Sequence, residues 1–220
     1  CLIEPSDYLF NWLGVDESNI RKIINELFKF EGFGAGAEGK EEFTIKKKKK
    51  IEQGADRLGN LLNKHIIFSK IATIPVLLHA AYHIISDDIK LSSIIFREPK
   101  KNFSEQEIHI DWHPRRKLSD KYKSVVCFYF LEESTKENGA TIIIPKTHKK
   151  LGYPCEHINP FKKNSYEKII EAKAGSILIL NANTWHKGGE NKVGKKRGMI
   201  AIEYRQRKLK QLLNQKKYVC

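Results

Sequence analysis

A chain of 220 residues with 40% apolar content is long enough for one sizeable domain and apolar enough to bury a core, which excludes global disorder. Its formal net charge of +14 raises nucleic acid as a partner. The excess, however, sits in the run Lys46 to Lys50 and in a basic tail, neither interleaved with the aromatic residues that a stacking surface needs, so a solvated loop and tail is the simpler reading.

The first segment, CLIEPSDYLFNWLGV, lacks the basic start and long apolar stretch of a secretory signal. No run of about 18 or more apolar residues follows, so no membrane-spanning helix is expected. Cys1, Cys127, Cys155 and Cys220 form no C-x-x-C pair, which points to a reducing, cytoplasmic setting rather than a disulfide framework or zinc ribbon.

Residues 18–30 (SNIRKIINELFKF) place Ile20, Ile23, Ile24 and Leu27 on one stripe, the pattern of an amphipathic helix that Asp16 or Ser18 can cap. Helices are also expected over residues 55–64 and 74–85. Near Lys90 the texture changes. The segments IKLSSIIF, QEIHIDWH, SVVCFYFLEE, ATIIIP, GSILIL and RGMIAIEY are short, rich in β-branched or aromatic residues, and separated by turn formers, as strands are. The expected organisation is one domain, mainly β with flanking helices: a mostly helical part over 1–90, a β core over 91–206 and a basic tail over 207–220. Helices do not alternate with the late strands, so an antiparallel barrel or sandwich is favoured over a parallel α/β fold.

Two motifs fail on their context. Gly34-Ala-Gly36-Ala-Glu-Gly39 matches the dinucleotide fingerprint but follows a predicted helix rather than a strand. His79-Ala-Ala-Tyr-His83 has the spacing of a zincin helix without the glutamate that would activate water, so helix packing is expected.

The stretch HIDWHP, residues 109–114, is more informative. On a strand, His109, Asp111 and His113 share one face, with Ile110 and Trp112 on the other. His109 and Asp111 can then chelate one metal ion from a single strand. A third ligand must come from His148, His157 or His186. His186 closely follows the apolar strand GSILIL, and Arg197, eleven residues on, opens RGMIAIEY. Two histidines and a carboxylate on an open site form the facial triad of non-haem Fe(II) oxygenases. Arginine is the natural clamp for a carboxylate co-substrate. A three-histidine zinc site would explain neither Asp111 nor Arg197.

In combination, HID (His109, Asp111), ENGATIIIPKTHK (Glu137 to Lys149), AGSILILNANTWH (Ala174 to His186) and Arg197 resemble the phytanoyl-CoA dioxygenase-like branch of the Fe(II)/2-oxoglutarate dioxygenases, from about Ser93 to Tyr204. The resemblance implies a double-stranded β-helix (jelly-roll, cupin-like) core. It implies iron held by His109, Asp111 and His186, and 2-oxoglutarate gripped by Arg197. It also implies O2-dependent hydroxylation of a small organic substrate with release of succinate and CO2. Related halogenases carry a small residue in place of the carboxylate; Asp111 fills that position, which favours hydroxylation or another two-electron oxidation. The chain departs from the usual pattern at Pro145-Lys-Thr-His148, and at Gly188, where a small hydroxyl residue often stands.

Around this centre, His113 reads as a pocket wall or substrate contact. Arg115, with Arg116 and Lys117, follows the metal-binding stretch and could draw an anionic substrate to the rim. His148 is a further substrate candidate near the mouth. Trp185 is expected to be a packing wall, and Asn138-Gly139 a tight turn. The competing reading is a non-catalytic β-barrel that binds nucleic acid or an acidic partner through its lysines. Nothing in the sequence bears on oligomeric state.

Overall fold

A computed structural model describes residues 1–31, 54–103 and 105–211. The glycine motif at 34–39, the lysine run at 46–50 and the end of the basic tail lie outside the described residues. The helices are α1 (Asp7–Leu13), α2 (Glu17–Glu31), α3 (Ile66–Ala72) and α4 (Pro75–Ile85). The strands are β1 (Leu2–Ile3), β2 (Ala55–Leu58), β3 (Ile89–Pro99), β4 (Ser124–Phe130), β5 (Thr141–Ile143), β6 (Lys168–Ile170), β7 (Ile177–Asn181), β8 (His186–Gly188) and β9 (Met199–Gln206).

These strands form two antiparallel sheets. The larger has the order β1-β7-β4-β9-β3-β2, the smaller β6-β5-β8. Neighbours in the large sheet come from distant parts of the chain, as in a jelly roll, and the helices lie outside it. The alternation of side chains along each strand separates two cores. Val125, Cys127 and Tyr129 of β4 and Ile200, Ile202 and Tyr204 of β9 pack outward with Ile20, Ile24 and Phe28 of α2, Phe68 and Ile71 of α3, and Leu77, Ala81 and Ile85 of α4. Val126, Phe128 and Phe130 of β4 instead join Leu178, Leu180 and Met199 between the sheets. Buried on both faces, β4 reads as an unbroken apolar run. Each fully buried aliphatic side chain contributes roughly 1.5–3 kcal/mol.

The helix expected near 18–30 forms, with the Asp16 carboxylate accepting from the Asn19 N–H at 2.8 Å as its cap. Arg21 fastens it to the sheet. Its guanidinium donates to Glu132 at 2.5 Å and to Glu98 at 2.8 Å, and lies 4.9 Å from the Phe96 ring centroid. The helix expected at 74–85 is also present, but His79 and His83 are exposed on it rather than packed.

Two expectations are corrected. Residues 55–64 form no α-helix. Ala55–Leu58 is an edge strand beside β3, with Ala55 opposite Pro99 and Leu58 opposite Phe96. Asn60, at φ 49°, then turns the chain into a short 3₁₀ turn at Leu61–Asn63. The helical spacing of the apolar residues in this segment is overridden by pairing with a strand some forty residues away. Nor is HIDWH a continuous strand. His109 makes a single bridge to His186, and the chain bends at Asp111 and Trp112.

Among the described residues no single helix is long and apolar enough to cross a membrane. The pair α3 and α4, bent by 47° at their junction, passes that test only together, and most of its apolar side chains, though not Ile66 and Tyr82, are taken up in the outer core.

Candidate metal centre

Three side chains from two segments converge at the open end between the sheets. His186 begins β8, and its backbone exchanges two hydrogen bonds with His109, at 2.9 and 3.0 Å. The Asp111 N–H then donates to the Ala182 carbonyl at 2.9 Å, which turns the carboxylate back toward both rings. The His186 Nε2 lies 3.2 Å from Asp111 Oδ2, and the His109 Nε2 lies 3.8 Å from Oδ1. The ring centroids are 4.5 Å apart. One ligand atom from each residue falls within a 4.8 Å set. Donors bound at about 2.0–2.2 Å to a common ion sit about 3 Å from one another, so little movement would close the set.

Hydrogen bonds settle which nitrogens are available. The Nδ1 of His109 faces the Glu107 carbonyl at 2.9 Å, and that of His186 faces the Thr184 carbonyl at 2.9 Å. A carbonyl only accepts, so each Nδ1 carries the proton and each Nε2 presents its lone pair toward Asp111. Burial pulls both imidazoles down. For His109, the charge of His186 adds to burial and its pKa stands below the ordinary value. For His186, burial is the largest single effect, but the charge and hydrogen bonding of Asp111 together with the Thr184 carbonyl outweigh it and raise the pKa.

The triad forms one wall of a cavity of about 200 Å³. The opposite wall is the inner face of the large sheet: Ser93, Ile95 and Arg97 of β3, Val126 and Phe128 of β4, and Met199, Ala201, Glu203 and Arg205 of β9. Arg57 of β2 and Gly188 of β8 also line it. Glu203 and Arg205 pair with each other at 2.7 and 2.8 Å, and the Arg205 guanidinium lies 4.5 Å from the Trp112 ring centroid.

Arg197 lies beside this cavity rather than in its lining, and is completely buried. Its Nη2 donates to the Gly139 carbonyl at 2.5 Å, and its Nη1 rests on the Met199 thioether at 3.2 Å. Its Nε has no hydrogen-bond partner among the described residues. Burial, and then the charge of Arg97, push its pKa down to about 9. The Asn138-Gly139 turn is what presents that carbonyl. Gly139 has φ 91°, and a Cβ there would lie 2.8 Å from the Gly189 carbonyl oxygen, so the turn requires glycine.

Of the three histidines considered for a third ligand, His186 is the one that the fold brings to His109 and Asp111. His148 packs against Tyr122 with centroids 5.8 Å apart, and His157 against Trp185 at 5.3 Å. Trp185 is a buried wall with Ile108 and Ile144.

His113 does not share a face with His109 and Asp111, because the bend at 111–112 turns it away. It lines a neighbouring pocket with Trp112, Lys123 and Tyr153, which meets the first cavity at Asp111 and Arg205. Arg115 is spent on its own loop, donating to the Asp120 carbonyl at 2.8 Å, to the Tyr122 hydroxyl at 3.2 Å and to the Leu118 carbonyl. Neither Arg115 nor His148 lines either pocket.

Sequence reasoning missed Arg97 and Lys187. Arg97 was detectable: it shares parity with Ser93 and Ile95 on a strand whose other face is apolar. Lys187 was not. It is 1% exposed and held by Glu105 at 2.7 Å and Glu167 at 3.1 Å, two partners that no local pattern marks.

The structure resembles HygX from Streptomyces hygroscopicus, solved with nickel and 2-oxoglutarate bound. The TM-score is 0.62 at 15% identity, over 85% of this chain and 88% of that one. It also resembles the epimerase SnoN from nogalamycin biosynthesis, solved in complex with Fe3+, alpha ketoglutarate and nogalamycin RO, with a TM-score of 0.65 at 14% identity, over 94% and 78%. Both likenesses speak to the fold, a cupin-like jelly roll. In sequence, the iron/alpha-ketoglutarate-dependent dioxygenase ausO of Aspergillus calidoustus is 29% identical over 160 residues, 69% of this chain. The chain spans 35% to 53% of the length of the mycobacterial and fungal curated relatives it matches. The family model for phytanoyl-CoA dioxygenase (PhyH) matches residues 20–199. That span runs from α2 to the first residue of β9 and takes in all three converging residues and Arg197: the chain belongs to the phytanoyl-CoA dioxygenase family.

Proposed function

We propose that this protein is a 2-oxoglutarate-dependent non-haem iron dioxygenase that hydroxylates a small organic substrate. The observation that carries the reading is the convergence of two Nε2 lone pairs and one carboxylate at the mouth of a cavity backed by a buried arginine. Two neutral imidazoles and one carboxylate on an open site suit Fe(II). The Nε of Arg197, buried without an acceptor among the described residues, suits the carboxylate of a keto-acid co-substrate.

In this reading His109, Asp111 and His186 hold the metal and Arg197 anchors 2-oxoglutarate. Bound there, iron and 2-oxoglutarate supply an O2-dependent two-electron oxidation of a substrate C–H bond, with release of succinate and CO2. The protein supplies position and charge. The Glu107 and Thr184 carbonyls hold the two imidazole rings by their Nδ1 protons, so that both Nε2 atoms face the same point. Phe128, Val126 and Ala201 keep water from the inner wall. One Asp and a doubly charged co-substrate leave a ferrous site at −1, which Arg197 neutralises in a low-dielectric interior.

The outer pocket with Trp112, His113 and Tyr153 is where we place the substrate, with His113 as a contact. The ligands of the structural neighbours, hygromycin B and nogalamycin RO, support a small molecule rather than a polymer. We take the described residues to work as one unit, in a reducing, cytoplasmic setting consistent with the unpaired Cys1, Cys127 and Cys155.

Anaerobic addition of Fe(II) and 2-oxoglutarate is expected to give a weak visible charge-transfer band. His109→Ala and Asp111→Ala should each abolish the band and succinate formation. Purified protein that retains zinc and develops no band would remove the assignment.

A further inference from the structure

We infer that Arg97 is a second cationic grip on the distal carboxylate of the keto-acid co-substrate, acting with Arg197 through the space that Gly188 leaves without a side chain. The inference rests on the proposed function and adds a residue to it.

Strand register places Arg97 there. In the antiparallel pair of β3 and β9, Arg97 stands opposite Met199, the residue whose thioether touches Arg197. Its alternate neighbours Ile94 and Phe96 belong to the outer core, so Arg97 points inward and lines the cavity. On the facing strand, a Cβ added at Gly188 would lie 3.3 Å from Arg97 Nη1 and 2.8 Å from Gln106 Oε1. The end of the Arg97 side chain therefore reaches the position that a side chain at 188 would take. Gln106 closes the same corner, its Oε1 accepting from the Gly188 N–H at 2.9 Å.

Charge supports the pairing. Arg97 is close enough for its charge to lower the proton affinity of Arg197, and it acts also on His109 and His186. Its charge is thus felt both at the buried arginine and at the proposed metal ligands. Two guanidinium groups on one low-dielectric wall repel each other, and an anion between them converts that repulsion into two attractions. A carboxylate has about four lone-pair sites and can accept from both. Among the described residues, Arg197 can offer it an Nε with no acceptor and an Nη1 that rests on a thioether.

The test separates the distal carboxylate from the chelating end. Metal-loaded protein is titrated calorimetrically, without oxygen, with 2-oxoglutarate and with 2-oxopentanoate, in which a methyl replaces the distal carboxylate. The wild type should prefer 2-oxoglutarate. Arg97→Gln should weaken 2-oxoglutarate by roughly tenfold or more, the scale of a charge-assisted contact, and leave 2-oxopentanoate within about twofold. Gly188→Ala, which crowds only the movable ends of Arg97 and Gln106, should weaken 2-oxoglutarate by a few fold with the same selectivity. It carries the test if Arg97→Gln does not fold.

Equal losses for both keto acids, or unchanged 2-oxoglutarate affinity in whichever variant folds, overturn the role of Arg97 while leaving the proposed function standing. A wild type that binds the two keto acids alike has no distal grip, and overturns this inference together with the role of Arg197 in the proposed function.

Discussion

Along β9, Ile200, Ile202 and Tyr204 point toward the helices, while Met199, Ala201, Glu203 and Arg205 point toward the cavity. The same division runs through β3 and β4. On the outer face the residues are almost all apolar, and the helices remove them from water. On the inner face an apolar middle, Val126, Phe128 and Ala201, separates a cationic end at Arg57 and Arg97 from the Glu203–Arg205 pair. One set of backbone hydrogen bonds thus supports two surfaces with different tasks. Substitutions outward should change stability with little effect on keto-acid binding, and substitutions inward should do the reverse.

The largest stability effect is expected at Arg21, which ties α2 to the outer side. Its guanidinium is shared by Glu98 and Glu132, and the second Glu132 oxygen also accepts from the Gly198 N–H at 2.7 Å. Arg21→Ala leaves two carboxylates without their common cation and should cost roughly 3–5 kcal/mol, read as a lower midpoint in urea. Ile202→Ala comes next, at roughly 2–5 kcal/mol. Both variants should bind 2-oxoglutarate normally in their folded fraction. If the Ile202 variant lost keto-acid affinity while folded, the two faces would not be separable.

Ligands probe the other side. Metal at a hundredfold excess over its dissociation constant should stabilise the wild type by about 2.7 kcal/mol, and 2-oxoglutarate at the same excess, bound beside the metal, by about as much again. Asp111→Ala should abolish that gain while leaving the stability of the metal-free protein within about 0.5 kcal/mol, as for a surface substitution. A metal-free Asp111→Ala protein that unfolded readily would mean that the carboxylate braces the fold.

How much of this was legible in sequence follows the range of the interactions involved. The stripe of α2 and the apolar runs of β4, β7 and β9 are local patterns, and they were readable. The convergence of His109, Asp111 and His186 was readable only because three separate motifs occurred in a recognisable order; none of them alone specifies a site. The edge strand β2 was misread because its partner lies on β3 and its own spacing suits a helix equally well. The orientation of His113 was misread for a related reason. Period-two reasoning needs a continuous ladder, and here the ladder is one bridge long. Arg97 had the parity that marks the inner face, and could have been found by it; where the end of its side chain goes is set by the glycine on the facing strand.

The smallest effect should come from Arg116, a rim residue that belongs to neither face. It pairs with Glu156 at 3.0 Å and lies 5.4 Å from the Tyr153 ring centroid. Both side chains of the pair are largely open to water, so solvent screens the attraction and Arg116→Ala should leave the urea midpoint nearly unchanged. Keto-acid affinity should not change, since the proposed co-substrate site lies on the other side of Asp111. Tyr153 does line the outer pocket. If that pocket receives an anionic substrate steered by rim charge, Arg116→Ala should slow substrate association at low salt and lose the effect at high salt. Equal association rates at both ionic strengths would leave the aromatic walls, rather than charge at the rim, as the means by which the substrate is selected.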